Sequence, residues 1–237
     1  MPILSAGEVH VWTAQSTSDA NVVAALERLL SPSEQAAANR FYFERHRLRY
    51  VFAHGVLRQI LSRYVDRAPE EIRFAQNAYG KPFLVDLDDR GHTHFNMSHS
   101  GDAVLVALTR GRHIGADVER IRPLYDFAGI AKYNFTPQEC VFIKSFSAEM
   151  QPNAFFTCWT RKEAFIKAVG KGLSIPLNTF DVSIPPGQPG LKLAAPKESP
   201  GIDAWWLADL TAPEGYAGAV AVEQGFDRLV YTAWRPL

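Results

Sequence analysis

Four residues of this 237-residue chain have the types and spacing for chemistry on a phosphate. Asp117 and Glu119 lie two apart in HIGADVE, and Glu163 and Lys167 lie four apart in WTRKEAFIKAVGKGL. On a strand, residues two apart project to one side, so Asp117 and Glu119 share a face while Ala116 and Val118 share the other. Like charges that close are tolerated in open water or around a cation. The apolar strand around them and the leading Gly115 favour the cation, and oxygen-only ligands favour Mg2+ over zinc. On a helix, Glu163 and Lys167 stack one turn apart, where a carboxylate and an ammonium can share a phosphate or a metal. A surface ion pair worth about 0.3–0.5 kcal/mol is the plainer account of any E-x-x-x-K pair. Phe165 and Ile166 beside the pair, and Gly170 and Gly172 closing the helix, set this one apart.

The elements that must carry these residues follow from periodicity. Phe155, Trp159, Ile166 and Val169 form an apolar helical stripe, and Thr160, Glu163, Lys167 and Gly170 a polar one. Upstream, Glu8–Thr13 alternates as a first strand, and Asp19 caps a helix reaching Leu30. Ser31-Pro32-Ser33-Glu34 opens a second helix, expected to run through Arg40–Tyr50 towards Tyr64. Arg45, Arg47 and Arg49 alternate along it and fan outward, leaving one or two to clamp a phosphate. Ile72 and Phe74 suggest a short strand, and Asn77–Pro82 a turn with Lys81 at its tip. Thr93–Ser100 reads as a strand running into a polar loop, with Asn96, Ser98 and Ser100 placed to orient His99 or to donate to phosphate oxygens. Ala103–Thr109 is a plain apolar strand. Residues 120–135 read as irregular, and Thr136–Glu139 as a capping box. Phe180–Ile184 is expected as a strand and Pro185–Gly201 as a loop. Ala204–Leu210, Gly218–Val222 and Leu229–Trp234 are expected as a closing antiparallel sheet.

Composition limits the partners. Lys plus Arg equals Asp plus Glu at 25 each, so no bulk charge draws the chain to nucleic acid or an anionic membrane. The two cysteines form no C-x-x-C, and neither a signal peptide nor a run of about 18 apolar residues is visible. The expectation is a cytoplasmic protein.

Taken together, GADVE at 115–119, WTRKEAFIK at 159–167 and GKG at 170–172 resemble the two signature motifs of the 4'-phosphopantetheinyl transferases, of the surfactin-synthetase-activating (Sfp) type. SPSEQ…RFYF, YGKP, NMSHSG and GLSIPLNTFDV match in order, so the resemblance spans about Ser31 to Ser183. It implies an α+β pseudo-dimer of two similar α/β halves, residues 1–120 and 121–237, with the active site in the cleft between them. It implies transfer of the phosphopantetheine arm of coenzyme A to a serine of an apo acyl or peptidyl carrier protein, with release of 3',5'-ADP. By this likeness Asp117, Glu119 and Glu163 hold Mg2+ or Mn2+, Glu163 takes the serine proton directly or through water, and Lys167 neutralises the leaving phosphate. Arg45, Arg49, Lys81, Pro82, Asn96, Ser98 and His99 would contact coenzyme A. Leu124, Tyr125, Phe127 and Tyr133 would touch the carrier, and the protein would be a monomer. The chain departs from the pattern after its Ser-Pro, where Glu34 and Ala37 stand in a stretch that is often basic. The alternative is a metal-dependent phosphodiesterase or nuclease with the same D-x-E and E-x-x-x-K pairs, though such an enzyme should carry a basic face. A carrier-binding module without catalysis is a third reading, disfavoured by the intact Asp117, Glu119, Glu163 and Lys167.

Overall fold

A computed structural model describes residues 3–85, 93–123, 127–183, 188, 190–194 and 204–236. In chain order the elements are β1 (Glu8–Gln15), α1 (Ala20–Glu27), α2 (Pro32–Ala38), α3 (Glu44–Leu61), β2 (Phe74–Gln76), β3 (Pro82–Leu84), β4 (Thr93–Ser100), β5 (Ala103–Arg110) and β6 (Ile114–Arg120). Then come α4 (Phe127–Asn134), α5 (Pro137–Lys144), α6 (Gln151–Val169), β7 (Leu191–Ala194), β8 (Ala204–Asp209), β9 (Tyr216–Glu223) and β10 (Arg228–Ala233).

The alternation of β5 sets the layering. Val104, Val106 and Leu108 pack with Phe52, Val56 and Ile60 of α3, forming the outer core of the first sheet, ordered β10-β1-β5-β4. Leu105 and Ala107, on the other face, meet Ile114, Ala116 and Val118 of β6 and Val220 and Val222 of β9. Those strands belong to the second sheet, ordered β6-β9-β8-β7. Its far face turns Ala219 and Ala221 towards Ala164, Phe165 and Ala168 of α6. The result is α+β: two four-stranded sheets back to back, each with one long helix outside. Each large aliphatic or aromatic side chain buried between these layers contributes about 1.5–3 kcal/mol.

Gly115 sets how closely α6 can lie. A Cβ there would stand 2.1 Å from the Ala164 carbonyl oxygen and 2.2 Å from the Ala168 nitrogen, so only glycine admits the helix backbone onto β6. The helix ends at Val169, and Gly170 caps it with a left-handed φ of 79°. A buried hub fixes its other side. Lys162 Nζ donates to the Leu177 and Phe180 carbonyls at 2.6 and 2.7 Å and pairs with Glu139 at 2.8 Å.

Several sequence expectations are corrected. The second helix is two, because Asn39 caps α2, the 39–43 stretch leaves the helix, and α3 starts only at Glu44. His99 lies in β4 and not in a loop. Phe180–Ser183 is not a strand. Its backbone bonds to side chains instead, the Phe180 carbonyl to Lys162 and the Val182 N–H to Glu139. The 185–201 stretch includes β7, which pairs with β8. Residues 127–134, expected as irregular, form α4. The closing sheet is not one sheet. β8 and β9 pair antiparallel, but β10 returns to the first half and pairs parallel with β1. The sheets therefore do not divide the chain at a single residue, since β6 lies in the second sheet and β10 in the first. Among the described residues, no helix is long and apolar enough to cross a membrane.

Candidate active site

The junction between the two sheets is closed by side chains. β6 pairs with β9 along one edge. At its other edge, Asn96 Oδ1 of β4 accepts from the Ala116 N–H at 2.9 Å. At two and four residues further along β4, Ser98 donates its hydroxyl to Asp117 Oδ1 and Ser100 donates to Glu119 Oε2, both at 2.6 Å. Strand alternation brings Asn96, Ser98 and Ser100 to one face, so all three serve β6. It also means they do not orient His99, which projects from the opposite face, and the two hydroxyl protons are already engaged.

From α6, Lys167 Nζ donates to Asp117 Oδ1 at 2.5 Å and to Ser98 Oγ at 3.3 Å. Asp117 is 2% exposed, and its Oδ2 is buried with no hydrogen-bond partner. Glu163 lies within electrostatic reach of Lys167, Asp117 and Glu119. Burial pushes the Glu163 carboxyl above the ordinary range, with Asp117 and Glu119 adding to the rise and Lys167 opposing it. Glu119 is raised too, chiefly by burial, against the Ser100 hydrogen bond. A buried orphan oxygen beside two carboxylates whose pKa values are raised by burial fits a hard cation, for which oxygen donors are the suitable ligands. Even so, among the described residues no three His, Cys, Asp or Glu side chains are drawn together as ready metal ligands. Lys167 stands against Asp117 instead.

The remaining candidates are spread around this centre. His99 is an exposed residue of β4, yet desolvation of its ring and the neighbouring His54, Lys167 and Arg49 lower its pKa. Arg49 bonds Asp102 at 3.0 Å. Arg45 is exposed and lies over the Phe43 ring, and Arg47 is tied to Glu44 and Glu27. Lys81 does not present its ammonium at the turn. It donates to the Ile114 and Ala168 carbonyls at 2.9 and 3.0 Å, and burial brings its pKa down to about 8. Pro82 and Lys81 border a cavity of about 420 Å3 that also reaches Thr93, His113 and Gly170. Tyr133 is 76% exposed on α4, while Leu124, Tyr125 and the Phe127 side chain lie outside the described residues. Cys158 is buried and its thiol pushed up to about 12, which leaves it inert as a nucleophile.

Residues 113–221 match the family described as the 4'-phosphopantetheinyl transferase superfamily, and residues 12–110 match 4'-phosphopantetheinyl transferase, N-terminal. Over 233 residues, 98% of this chain and 92% of the relative, it is 35% identical to the 4'-phosphopantetheinyl transferase HetI of Nostoc sp.. The chain belongs to the 4'-phosphopantetheinyl transferase family. It is also 36% identical over 155 residues to the transferase Sfp of Bacillus subtilis, covering 65% of this chain and 66% of that one. To L-aminoadipate-semialdehyde dehydrogenase-phosphopantetheinyl transferase of Mus musculus it is 28% identical over 167 residues, covering 67% and 54%. The phosphodiesterase alternative finds no support among these matches. As a phosphopantetheinyl transferase the protein uses coenzyme A as donor and a carrier protein as acceptor. Sequence reasoning missed the Ser100–Glu119 bond and the nearness of His54 to His99. The i, i+2, i+4 spacing of Asn96, Ser98 and Ser100 was the available sign of the first.

Proposed function

We propose that this protein moves phosphopantetheine from coenzyme A to a carrier serine in a Mg2+-dependent reaction, Mn2+ being the substitute, with the cleft between β4, β6 and α6 as the catalytic centre. The observation that carries this is Asp117, which is buried, bonded through Oδ1 to Ser98 and Lys167, and left with an unpartnered Oδ2. Asp117, Glu119 and Glu163 would hold the metal. When bound, Mg2+ would neutralise the pyrophosphate of the donor and polarise it towards attack.

The chain's own residues do the rest. Glu163, with its proton affinity raised by burial, takes the serine proton directly or through one water, which suits a base working near neutrality. The serine oxygen forms its bond to the phosphorus of the phosphopantetheine, and the bond from that phosphorus to the oxygen of 3',5'-ADP breaks. Lys167 gives up Asp117 and donates to the departing phosphate. Ser98 and Ser100 keep the two strand carboxylates aimed, as supporting hydroxyls do for ligands generally. His99 and Arg49 face the donor's phosphates, and the base lies against the YGKP turn beside the 420 Å3 cavity. In that turn the backbone and Pro82 make the contact, and Lys81 pins α6 to β6.

A cytoplasmic monomer acting on neither nucleic acid nor membrane completes this reading, in keeping with the equal counts of basic and acidic residues. The test is release of 3',5'-ADP from coenzyme A and an apo carrier with Mg2+, with Mn2+ and with chelator. Release that survives thorough chelation removes the metal from the account.

A further inference from the structure

His54 belongs to no part of the reaction above, yet a stacked ring and a carboxylate both hold it. It lies on α3, one turn after Tyr50, whose ring it stacks on at 3.9 Å between centroids and 24° between planes. Its Nδ1 stands 3.3 Å from Glu34 Oε1. Glu34 is held in turn: its Oε2 accepts from Arg58 Nε at 2.9 Å and from the Ser31 N–H and hydroxyl, both at 2.8 Å. These donors, with His54, keep the carboxyl ionised down to about pH 2 despite its burial. An anchored carboxylate behind an imidazole accepts Nδ1–H and fixes the ring, so Nε2 is left as the ring atom that can meet a ligand. That second nitrogen has no partner among the described residues. The side chain is 23% exposed, so the ring edge reaches the surface. The same surface carries His99 and Arg49, both within electrostatic reach of one another, with His54 alongside.

We propose that His54, braced by Glu34 and Tyr50, is a binding residue for the phosphomonoester on the ribose of the donor, gripping it together with His99 and Arg49. A dianionic monoester takes several charge-assisted donors, and α2 offers none at this place because Glu34 and Ala37 stand there. Glu34 is then a positioning residue for His54. The inference rests on coenzyme A being the donor.

The experiment compares coenzyme A with 3'-dephospho-coenzyme A as donors for the parent protein and for His54→Gln and His54→Ala, alongside calorimetric binding of 3',5'-ADP and of 5'-AMP. Loss of one charge-assisted hydrogen bond predicts a KM for coenzyme A, and a Kd for 3',5'-ADP, raised about tenfold or more. The KM for dephospho-coenzyme A, the Kd for 5'-AMP and kcat should stay within about twofold. If KM rises equally for both donors, or for neither, the proposal is overturned. If the parent transfers from neither donor but still prefers 3',5'-ADP through His54, the transferase reading falls and the phosphate site stands.

Discussion

Lys167 Nζ lies 2.5 Å from Asp117 Oδ1, so the ammonium now occupies the carboxylate that the proposed metal must share. The pair joins α6 to β6, and its two members belong to different steps. Asp117 would serve the metal, and Lys167 the leaving group. Asp117→Asn keeps the shape and the Ser98 contact while removing the charge. We expect kcat to fall at least about a hundredfold, as when a charged group at a reaction centre is lost, with the melting temperature nearly unchanged. Turnover close to that of the parent at any Mg2+ concentration would remove Asp117 from the metal site.

Glu163 gives a prediction in pH. Burial raises its folded-state pKa, so the folded protein binds this proton more tightly than the unfolded chain. Stability from this group is therefore full at acid pH and lost as pH rises from the ordinary carboxylate range through the raised value. Glu163→Gln, which carries no titration, should be more stable than the parent at pH 7 and indistinguishable from it at pH 4, while transferring nothing. Thermal melts at the two pH values check this. Added Mg2+ should stabilise the parent and not the variant. Equal melting at pH 7 would contradict the buried charge.

Gly115 tests the packing that brings the two motifs together. A methyl group at 2.1 Å from the Ala164 carbonyl must push α6 away from β6. Gly115→Ala should cost about 3 kcal/mol or more, at or beyond the usual range for overpacking, and should lower kcat because Glu163 and Lys167 move with the helix. Denaturant unfolding measures the first effect and the transfer assay the second.

How much of this was legible in the sequence differs by element. The α6 stripes and the caps at Asp19, Ser31 and Thr136 were readable because helix periodicity and capping are local. The D-x-E and E-x-x-x-K pairs were readable for the same reason. The parallel pairing of β10 with β1 was not, since alternation marks Leu229–Trp234 as a strand without naming its partner. Lys81 misled because its turn is legible and the two carbonyls that capture its ammonium are 33 and 87 residues away. His99 misled by one strand boundary, which put its neighbours Ser98 and Ser100 on the wrong face.

The carrier surface expected at α4 gives a further prediction. Tyr133 stands out from α4 at 76% exposure, with Lys132 beside it near the C-terminal end of that helix. Carriers are acidic around the modified serine, so Lys132→Glu should raise the KM for carrier, steepen its salt dependence and leave the KM for coenzyme A alone. If both KM values stay put, the carrier docks elsewhere.

The central claim is that the Asp117–Glu119–Glu163–Lys167 cleft transfers phosphopantetheine. Incubation of the protein with coenzyme A, Mg2+ and an apo carrier, followed by intact-mass measurement of the carrier, tests it most directly. The account predicts a carrier heavier by one phosphopantetheine on its serine, with one 3',5'-ADP released per carrier and neither product formed by Asp117→Asn. An unmodified carrier across acyl and peptidyl types, from folded protein with Mg2+ present, would contradict it.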